Sequence, residues 1–296
     1  MSDLIRIDRI CKSYGDFALS DVSLAVPRGC IVGFVGANGA GKTTTIRAAF
    51  GLTEPDSGDV TLFGEPFLTA KAAAQRRLKA RVGVVLDTCP FVGVSVRDAG
   101  AIMRAAYPSW DQPYFERMLR EFGLDPKKPV EKLSRGMGMK LQMACALAHR
   151  PDLLILDEAT AGLDPLARDE ALGLLRDFVA DDNRGILMSS HITSDLDKIA
   201  DEVVCIHEGR VIFDLEKDEI CDRMGIARCR AADVDAALAD DACVPAGGTP
   251  HVLRHAYGAD VCVADRFAFA KRHPSIPCDR MTIDDYLHFV LEGGPR

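Results

Sequence analysis

The chain has 296 residues and a formal net charge of −8, with 48% hydrophobic and 27% charged residues. This length allows one large domain with a small appendage or two modest domains, and the hydrophobic content excludes wholesale disorder. The acidic balance argues against a nucleic-acid-binding protein, which usually carries a basic surplus. We therefore expect a folded protein for which no nucleic acid partner is predicted.

The ten cysteines form no C-x-x-C pair and show no ligand-like rhythm along the chain. Cys145 and Cys205 lie in apolar surroundings, where a free cysteine behaves as a small hydrophobic residue. This pattern favours reduced thiols in a cytosolic protein over a disulfide framework or a metal site.

The start of the chain has no basic segment followed by an apolar stretch, so a secretory signal is not expected. No apolar run approaches the roughly 18 residues that a spanning helix needs. If the protein acts at a membrane, another subunit has to hold it there.

In the first third of the chain, short strands alternate with helical stretches, which predicts an α/β fold. Residues 4–10 and 18–26 alternate apolar and polar side chains, as strands with one covered face do. Residues 31–37 are continuously apolar and end at a glycine loop, which is typical of a buried parallel strand. A helix over Thr43–Phe50 and a short strand over Arg81–Leu86 follow.

From about Ser95 to His149 the periodicity is helical and strand signals are missing, which predicts an inserted helical subdomain over about residues 88–150. The alternation of strands and helices then resumes with a predicted strand within residues 153–159, which begin with four apolar residues. A helix over Ala167–Ala180 and strands at 185–190 and 202–207 complete it.

Beyond about Cys221 the pattern weakens, and residues 221–296 are predicted to form a small α+β extension of unknown role. Pro245-Ala246-Gly247-Gly248 is typical of a loop or linker, and residues 251–265 favour a hairpin. Residues 281–293 predict a closing amphipathic helix that is capped by Thr282.

A glycine-rich loop is the strongest motif of the sequence. It matches G-x-x-x-x-G-K-[ST], follows a predicted strand and opens a predicted helix. Its glycines allow successive N–H groups to point at one anion, and the positive end of the helix adds to the attraction for phosphate. The predicted phosphate-binding residues are Gly36, Asn38, Gly39, Ala40, Gly41, Lys42, Thr43 and Thr44.

Two acidic residues, Asp157 and Glu158, follow a buried strand and so lie at the carboxyl edge of the predicted sheet, where ligand sites of α/β proteins are found. Lys42 is predicted to reach the β- and γ-phosphates, and Thr43 and Asp157 are predicted to hold Mg²⁺. Glu158 is the candidate base or orienter for an attacking water. The cofactors expected from this pair of motifs are ATP and Mg²⁺.

The order of the remaining motifs resembles the ATP-binding cassette of ABC transporters over roughly residues 3–220. Leu133-Ser134-Arg135-Gly136-Met137 is similar to the family signature LSGGQ, and Ala161-Gly162-Leu163-Asp164 is similar to the D-loop. His191 stands at the switch-histidine position after a strand, and Tyr14 stands where the family has its adenine-stacking aromatic. Taken alone, Tyr14 is also compatible with an ordinary surface aromatic and His191 with a structural histidine.

The resemblance implies a P-loop NTPase core with a mostly parallel sheet, an antiparallel N-terminal β subdomain and the inserted helical subdomain, over residues 1–220. It also implies a half-site, in which ATP lies between the phosphate loop of one cassette and the signature of a second, in a homo- or heterodimer. Ser134 and Gly136 would contact the γ-phosphate held by the second cassette, Asp164 would bridge the interface, and His191 would position the γ-phosphate and the water.

Four positions depart from the family pattern. Arg135 replaces a glycine of the signature, Met137 replaces its glutamine, and Ala159 replaces the proline after the strand carboxylates. Asp87 stands where the Q-loop glutamine normally lies, and an outer-shell Mg²⁺ role is the prediction for it. The acid at Asp87, the segment Leu133–Met137 and the stretch Tyr107-Pro108-Ser109-Trp110-Asp111 resemble those of bacterial single-cassette subunits of multicomponent exporters.

Three functions follow from these observations as alternatives. The first is an ATP-hydrolysing subunit that powers transport, favouring export, through a separately encoded integral membrane permease; such a subunit is cytoplasmic and peripheral on the inner face of the membrane. The second is a soluble ABC ATPase that acts on ribosomes or DNA, which usually has two cassettes or long coiled coils. The third is a nucleotide-binding regulator without turnover, which Glu158 argues against.

Apolar and aromatic residues between Asp87 and Trp110, including Phe91, are the predicted permease-docking surface.

Overall fold

The computed structural model describes residues 3–243 and 251–293, so the predicted linker at 245–248 lies outside the described residues. The chain packs as two compact units. The first contains residues up to 192 together with 204–214, and the second contains residues 193–203 together with those from 215 onward. The change of unit near residue 215 lies close to the boundary expected at 220, but residues 193–203 belong to the second unit.

The strands up to residue 216 form two sheets. They are β1 (Ile5–Tyr14), β2 (Phe17–Val26), β3 (Ile31–Val35), β4 (Ser57–Leu62), β5 (Glu65–Pro66), β6 (Val82–Leu86), β7 (Leu153–Asp157), β8 (Gly185–Ser190), β9 (Glu202–His207) and β10 (Arg210–Glu216). The first sheet has the order β2-β1-β4-β5 and its strands pair antiparallel. The second has the order β10-β9-β3-β8-β7-β6.

In the six-stranded sheet, β3 pairs parallel with β8, β8 with β7, and β7 with β6. Every residue of β3, β7 and β8 is buried. Their apolar runs predicted this burial, because parallel strands that are covered on both faces are apolar throughout. The predicted α/β fold with a mostly parallel sheet and an antiparallel N-terminal sheet is confirmed. The register places Asp157 beside Ser189, and Val35 beside Ser190, so the ends of three strands meet at one edge.

Among the described residues, the first unit contains the α-helices α1 (Lys42–Ala49), α2 (Ala72–Lys79), α3 (Val96–Ala106), α4 (Gln112–Glu121), α5 (Arg135–Ala148) and α6 (Pro165–Val179), with a 3-10 helix at Val130–Lys132. Side-chain caps define where several of them begin. Ser95, Asp111, Ser134 and Asp164 each accept a hydrogen bond from a backbone N–H in the first turn of the helix that follows. Because Asp164 is the cap and Pro165 suits the first turn, α6 begins two residues before the predicted Ala167.

The inserted region is helical, as predicted, and consists of α3, α4 and α5. Phe115 packs so closely on Gly100 of α3 that a Cβ there would lie 2.3 Å from its ring. The connection between α3 and α4 is held to the end of α5, because the Ser109 hydroxyl donates to His149 O and the Asp111 amide to Ala148 O.

The second unit contains α7 (Thr193–Ile199), β11 (Gly225–Arg230), α8 (Val234–Leu238), β12 (Val252–His255), β13 (Gly258–Val263), α9 (Arg266–Arg272), β14 (Cys278–Arg280) and α10 (Ile283–Glu292). Its antiparallel sheet has the order β12-β13-β11-β14, so the predicted hairpin within 251–265 is present. Thr282 caps α10 in a capping box with Asp285, as the sequence predicted. The amide of Ile283 donates to Asp197 of α7, which fixes α10 on that helix.

Cys145 and Cys205 are buried, as their apolar neighbours predicted. Over residues 3–243 and 251–293, no helix is both long and apolar enough to span a bilayer.

Candidate nucleotide-binding site

The phosphate loop lies between β3 and α1, so the predicted strand–loop–helix context is present. Gly39 and Gly41 have φ angles of 82° and 119°, which L side chains rarely adopt. A Cβ at Gly41 would also lie only 2.7 Å from the Leu19 side chain. Glycine is therefore required where the loop turns into α1, and this turn places the first N–H groups of the helix at the mouth of the loop.

Lys42 is 6% exposed, and its ammonium is held on three sides. It donates to Gly36 O at 2.6 Å and to Ala37 O at 3.3 Å, both within its own loop. It also forms an ion pair with Glu158 Oε1 at 3.1 Å. The cation that the motif predicts at the phosphates is thus fixed beside the candidate general base.

Asp157 receives two hydroxyl groups. Thr43 Oγ1 donates to its Oδ2 at 3.0 Å, and Ser189 Oγ donates to its Oδ1 at 2.6 Å. Asp157 and Ser189 are both buried, and they are partners in the register of β7 and β8. The orientation of the Asp157 carboxylate is therefore set from both neighbouring segments.

Glu158 has a φ of 53°, in the left-handed region, and its backbone N–H donates to both the carbonyl and the hydroxyl oxygen of Ser189. This turn directs its carboxylate to Lys42 and to His191, whose Nδ1 lies 2.5 Å from Oε2. Burial acts to raise the pKa of Glu158, but the hydrogen bond from His191 and the charge of Lys42 outweigh it and lower that pKa below its ordinary value. Glu158 is accordingly ionised at neutral pH.

These donors fit the cofactors that the sequence predicts. The Thr43 hydroxyl and the Asp157 carboxylate are hard oxygen ligands 3.0 Å apart, of the kind that Mg²⁺ prefers. A buried ammonium, a glycine-lined loop and a helix N-terminus are together suited to a polyphosphate.

The other predicted phosphate-loop residues lie as follows. Ala40 is buried and its carbonyl accepts from Gly209 N at 2.9 Å, while Asn38 is exposed and Thr44 is half-buried in the first turn of α1. Tyr14 ends β1 and is 43% exposed, with the Lys12 ammonium 5.8 Å from its ring centroid. An aromatic face is therefore accessible at Tyr14.

Ser134 and Asp164 cap α5 and α6, and both are exposed. A Cβ at Gly136 would lie 3.5 Å from the Leu163 side chain, so the predicted signature and D-loop adjoin within one chain. The roles inferred for Ser134, Gly136 and Asp164 toward a second cassette stay predictions.

Asp87 follows β6 and forms an ion pair with the guanidinium of Arg135. It also lines a cavity of about 580 Å³ together with Thr43 and Asp157. The predicted outer-shell role of Asp87 toward Mg²⁺ stays a prediction, and its direct partner in the structure is Arg135.

Sequence reasoning missed two residues that touch this site, Ser189 and Arg135. Ser189 is one of two serines that end the otherwise apolar strand β8, and this polar pair just before His191 was the available signal. The sequence pattern marked Arg135 only as a departure from the signature, and nothing local indicated its partner.

Known proteins share these features. The family model described as ABC transporter matches residues 19–161. The bacitracin transport ATP-binding protein BcrA of Bacillus licheniformis is 36% identical over 224 residues, which cover 74% of this chain and 72% of that protein.

The Nod factor export ATP-binding protein I of Sinorhizobium fredii is 35% identical over 227 residues, covering 71% of this chain and 62% of that protein. A solved structure of the ATP-binding subunit of an ABC transporter superposes with a TM-score of 0.66 at 30% identity, over 73% of this chain and 91% of that one.

The chain belongs to the ABC transporter family, as an ATP-binding cassette subunit. Binding and hydrolysis of ATP are the activities of this family, so the resemblance inferred from the motifs is confirmed at the level of the cassette. Residues 19–161, which the family model matches, lie within the first unit and include Lys42, Asp157 and Glu158, while His191 lies in the same unit beyond them.

Proposed function

We propose that this cassette hydrolyses ATP with Mg²⁺ to power export through a separately encoded membrane permease. The observation that carries the proposal is the chain of contacts Lys42–Glu158–His191, with separations of 3.1 and 2.5 Å. Beside these contacts, Asp157 at the end of β7 lies 3.0 Å from the Thr43 hydroxyl of α1. All the charges that a phosphoryl transfer site needs therefore meet at one edge of the sheet.

Each side chain has a distinct task in this proposal. Lys42 neutralises phosphate charge, and Thr43 and Asp157 would hold Mg²⁺, which supplies further charge neutralisation when it is bound. Glu158 accepts a proton from water, and its low pKa keeps it in the basic form. His191 holds the Glu158 carboxylate in place through a 2.5 Å hydrogen bond, so the base is oriented before ATP arrives.

A second cassette completes the site in this proposal. Ser134 and Gly136, on the exposed start of α5, would contact the γ-phosphate bound by the second cassette. Asp164 would lie at the shared interface and Tyr14 would stack on the adenine. Since phosphoryl transfer depends mostly on positioning, dividing the contacts between two cassettes makes closure depend on nucleotide.

The relatives favour transport over a role on ribosomes or DNA. One is described as a bacitracin transport protein and another as a Nod factor export protein, and each matches this chain over more than 200 residues. The net charge of −8 also gives no electrostatic reason to expect a nucleic acid partner.

The docking surface for the permease is the apolar groove around β6. Phe50, Leu52, Val84, Leu86 and Tyr107 line its cavity of about 580 Å³, and Leu52 is 71% exposed. Val92, in the loop that follows, is 77% exposed. Such a patch is typical of a protein interface. Docking here would place the cassette on the inner face of the membrane.

Trp110 is less suited to docking than the sequence suggested. Its ring packs on Phe115, with centroids 5.0 Å apart, and its indole N–H donates to Gln112 at 2.8 Å. We therefore place the contact surface at Val92 and the groove, and assign Trp110 to the packing of the helical subdomain.

The decisive experiment is the Glu158→Gln variant. It removes the base but keeps the shape of the side chain, so ATP should still bind while turnover falls by about 100-fold or more. Slow turnover should trap an ATP-bound dimer, visible by light scattering.

The matched control is Glu121→Gln, at the end of α4, which should hydrolyse ATP like the parent. Parental turnover in Glu158→Gln would show that another group activates the water. The coupling of ATP hydrolysis to transport is tested in membrane vesicles that contain the permease, where Glu158→Gln should lose ATP-driven transport.

A further inference from the structure

Two departures from the family pattern meet in the structure. Asp87 takes the place of the Q-loop glutamine and Arg135 takes the place of a signature glycine, 48 residues later. The Arg135 guanidinium donates to the Asp87 carboxylate. Each substitution looks isolated in the sequence, but together they form one ion pair between the end of β6 and the start of α5.

A second link joins the same two segments. The Gln142 side chain, on α5, accepts from Leu86 N at 3.0 Å and donates to Leu86 O at 3.0 Å. Gln142 is buried, so both bonds are shielded from water. Gly138 lies between the two links, and a Cβ there would be 3.5 Å from Cys89. Residues 86–89 therefore lie along the first two turns of α5.

Arg135 has a third neighbour, Gly162 in the predicted D-loop. A Cβ at Gly162 would lie 2.9 to 3.1 Å from three atoms of the Arg135 side chain. Arg135 thus crosses over the glycine on its way to Asp87, and its path is fixed by packing as well as by charge. It lies directly between Ser134 and Gly136, the two residues predicted to contact nucleotide.

We propose that the Asp87–Arg135 ion pair holds the signature segment Leu133–Gly136 against the segment that follows β6, with Arg135 acting as a positioning residue for Ser134 and Gly136. The inference rests on the proposed function, since the purpose of that positioning is ATP turnover. A glycine at position 135 could not make this contact, and a neutral glutamine at position 87 would lack the charge that a guanidinium pairs with most strongly.

The pair is half-exposed, with relative side-chain exposures of 49% for Arg135 and 51% for Asp87. Water and salt screen such a pair, because the Debye length is about 10 Å at 0.1 M salt. Its contribution should therefore be visible at low ionic strength and fade at high ionic strength. Packing interactions do not respond to salt in this way, which makes ionic strength a useful discriminator.

The test is a charge-reversal cycle in the full-length purified chain: Asp87→Arg, Arg135→Asp and the double variant. Steady-state ATP hydrolysis should fall about fivefold in kcat for each single variant at low salt. The double variant should recover most of the loss, and the differences should shrink in about 1 M salt. Hydrogen exchange at the amides of residues 136–138 should be faster in each single variant and slower again in the double.

Lys140→Glu is the matched control. It breaks the Lys140–Glu170 ion pair, whose groups lie 2.6 Å apart and which joins the same helix α5 to α6. Its hydrolysis and its exchange at residues 136–138 should equal those of the parent.

The inference is overturned if the double variant is no better than the worse single variant. It is equally overturned if Arg135→Asp behaves like Lys140→Glu. A parent that hydrolyses no ATP would refute the proposed function, and hydrogen exchange would then still decide whether the ion pair holds α5.

Discussion

The nucleotide cradle and the groove beside β6 share Thr43 and Asp157 but differ in chemistry. In the cradle, polar groups satisfy one another: Lys42, Glu158, His191, Asp157 and Ser189 are joined by contacts of 2.5 to 3.1 Å. In the groove, apolar side chains such as Leu52 and Val84 stand 71% and 43% exposed.

The contacts among the polar groups of the cradle are therefore complete within this chain, whereas the groove lacks a surface that covers it among the described residues. A pre-formed polar network costs little reorganisation when its ligand binds, so the cradle is prepared for chemistry by the fold itself. An exposed apolar groove contributes favourable free energy only when another surface covers it and removes its apolar side chains from water.

The largest effect should come from Lys42→Ala. It removes the buried cation of the cradle and leaves Glu158 without its ion-pair partner at 3.1 Å. ATP turnover should fall about 100-fold or more, with weaker nucleotide binding, measured by steady-state kinetics and by a fluorescent ATP analogue. The control is Lys132→Ala, an exposed lysine. Unchanged ATP affinity in Lys42→Ala would contradict the assignment of the cradle.

Ser189→Ala should have the next largest effect. The hydroxyl that orients Asp157 at 2.6 Å is lost, although no predicted ligand is removed. Losses of about 10- to 100-fold in metal affinity or activity are typical when such an orienting partner is removed. The Mg²⁺ concentration for half-maximal binding of the fluorescent nucleotide should therefore rise.

Ser190→Ala is the control for that experiment. Its hydroxyl is equally buried but accepts from Ile192 N at 2.9 Å and does not contact Asp157. If both serine variants show the same Mg²⁺ dependence as the parent, then Ser189 has no part in orienting Asp157.

A change in the groove should spare the cradle. Val92→Glu places a charge on a side chain that is 77% exposed, so the fold should tolerate it. Loss of an interface hot spot costs on the order of 2 kcal/mol, or about 30-fold in affinity. Co-purification with the permease should fall by that order while ATP binding stays normal. Full retention of the complex would move the docking surface away from Val92.

The smallest effect concerns His149, which stacks on the groove residue Tyr107 with ring centroids 4.0 Å apart. His149 is 1% exposed, and burial lowers its pKa to about 4. In the unfolded chain its pKa is near 6.5. Since the unfolded state then binds more protons, stability should fall as the pH drops below about 6.5. Between pH 7 and 5.5 this group should cost about 1 kcal/mol.

Urea unfolding of the parent and of His149→Gln at these two pH values checks the effect. Between pH 7 and 5.5 the free energy of unfolding should fall by about 1 kcal/mol less in His149→Gln than in the parent. His207→Gln, at a half-exposed histidine, is the control and should follow the parent. Identical pH dependence in the parent and His149→Gln would show that burial of this ring does not shift its titration.

The sequence predicted well the features that are written locally. The glycine spacing identified the phosphate loop, and Thr282 was predicted to cap the closing helix, where it caps α10. The strand that delivers Asp157 and Glu158 could be read from one apolar run.

What the sequence could not show depends on strand register and on distant contacts. Ser189 meets Asp157 only because β7 and β8 pair in one particular register. Arg135 reaches Asp87 across 48 residues, and no periodicity encodes that distance. Trp110 was expected at a docking surface, but its ring packs on Phe115 of α4. Tertiary packing decided each of these outcomes.

The side-chain amide of Gln142 covers the end of a sheet edge. β6 is the last strand of its sheet, and a free edge offers unpaired backbone groups to the strands of other molecules. By accepting from Leu86 N and donating to Leu86 O, the Gln142 amide imitates the backbone of a neighbouring strand. The exposed apolar edge is thereby closed at its last residue. Gln142→Leu, which removes this cover, is therefore expected to form aggregates during refolding that the parent avoids.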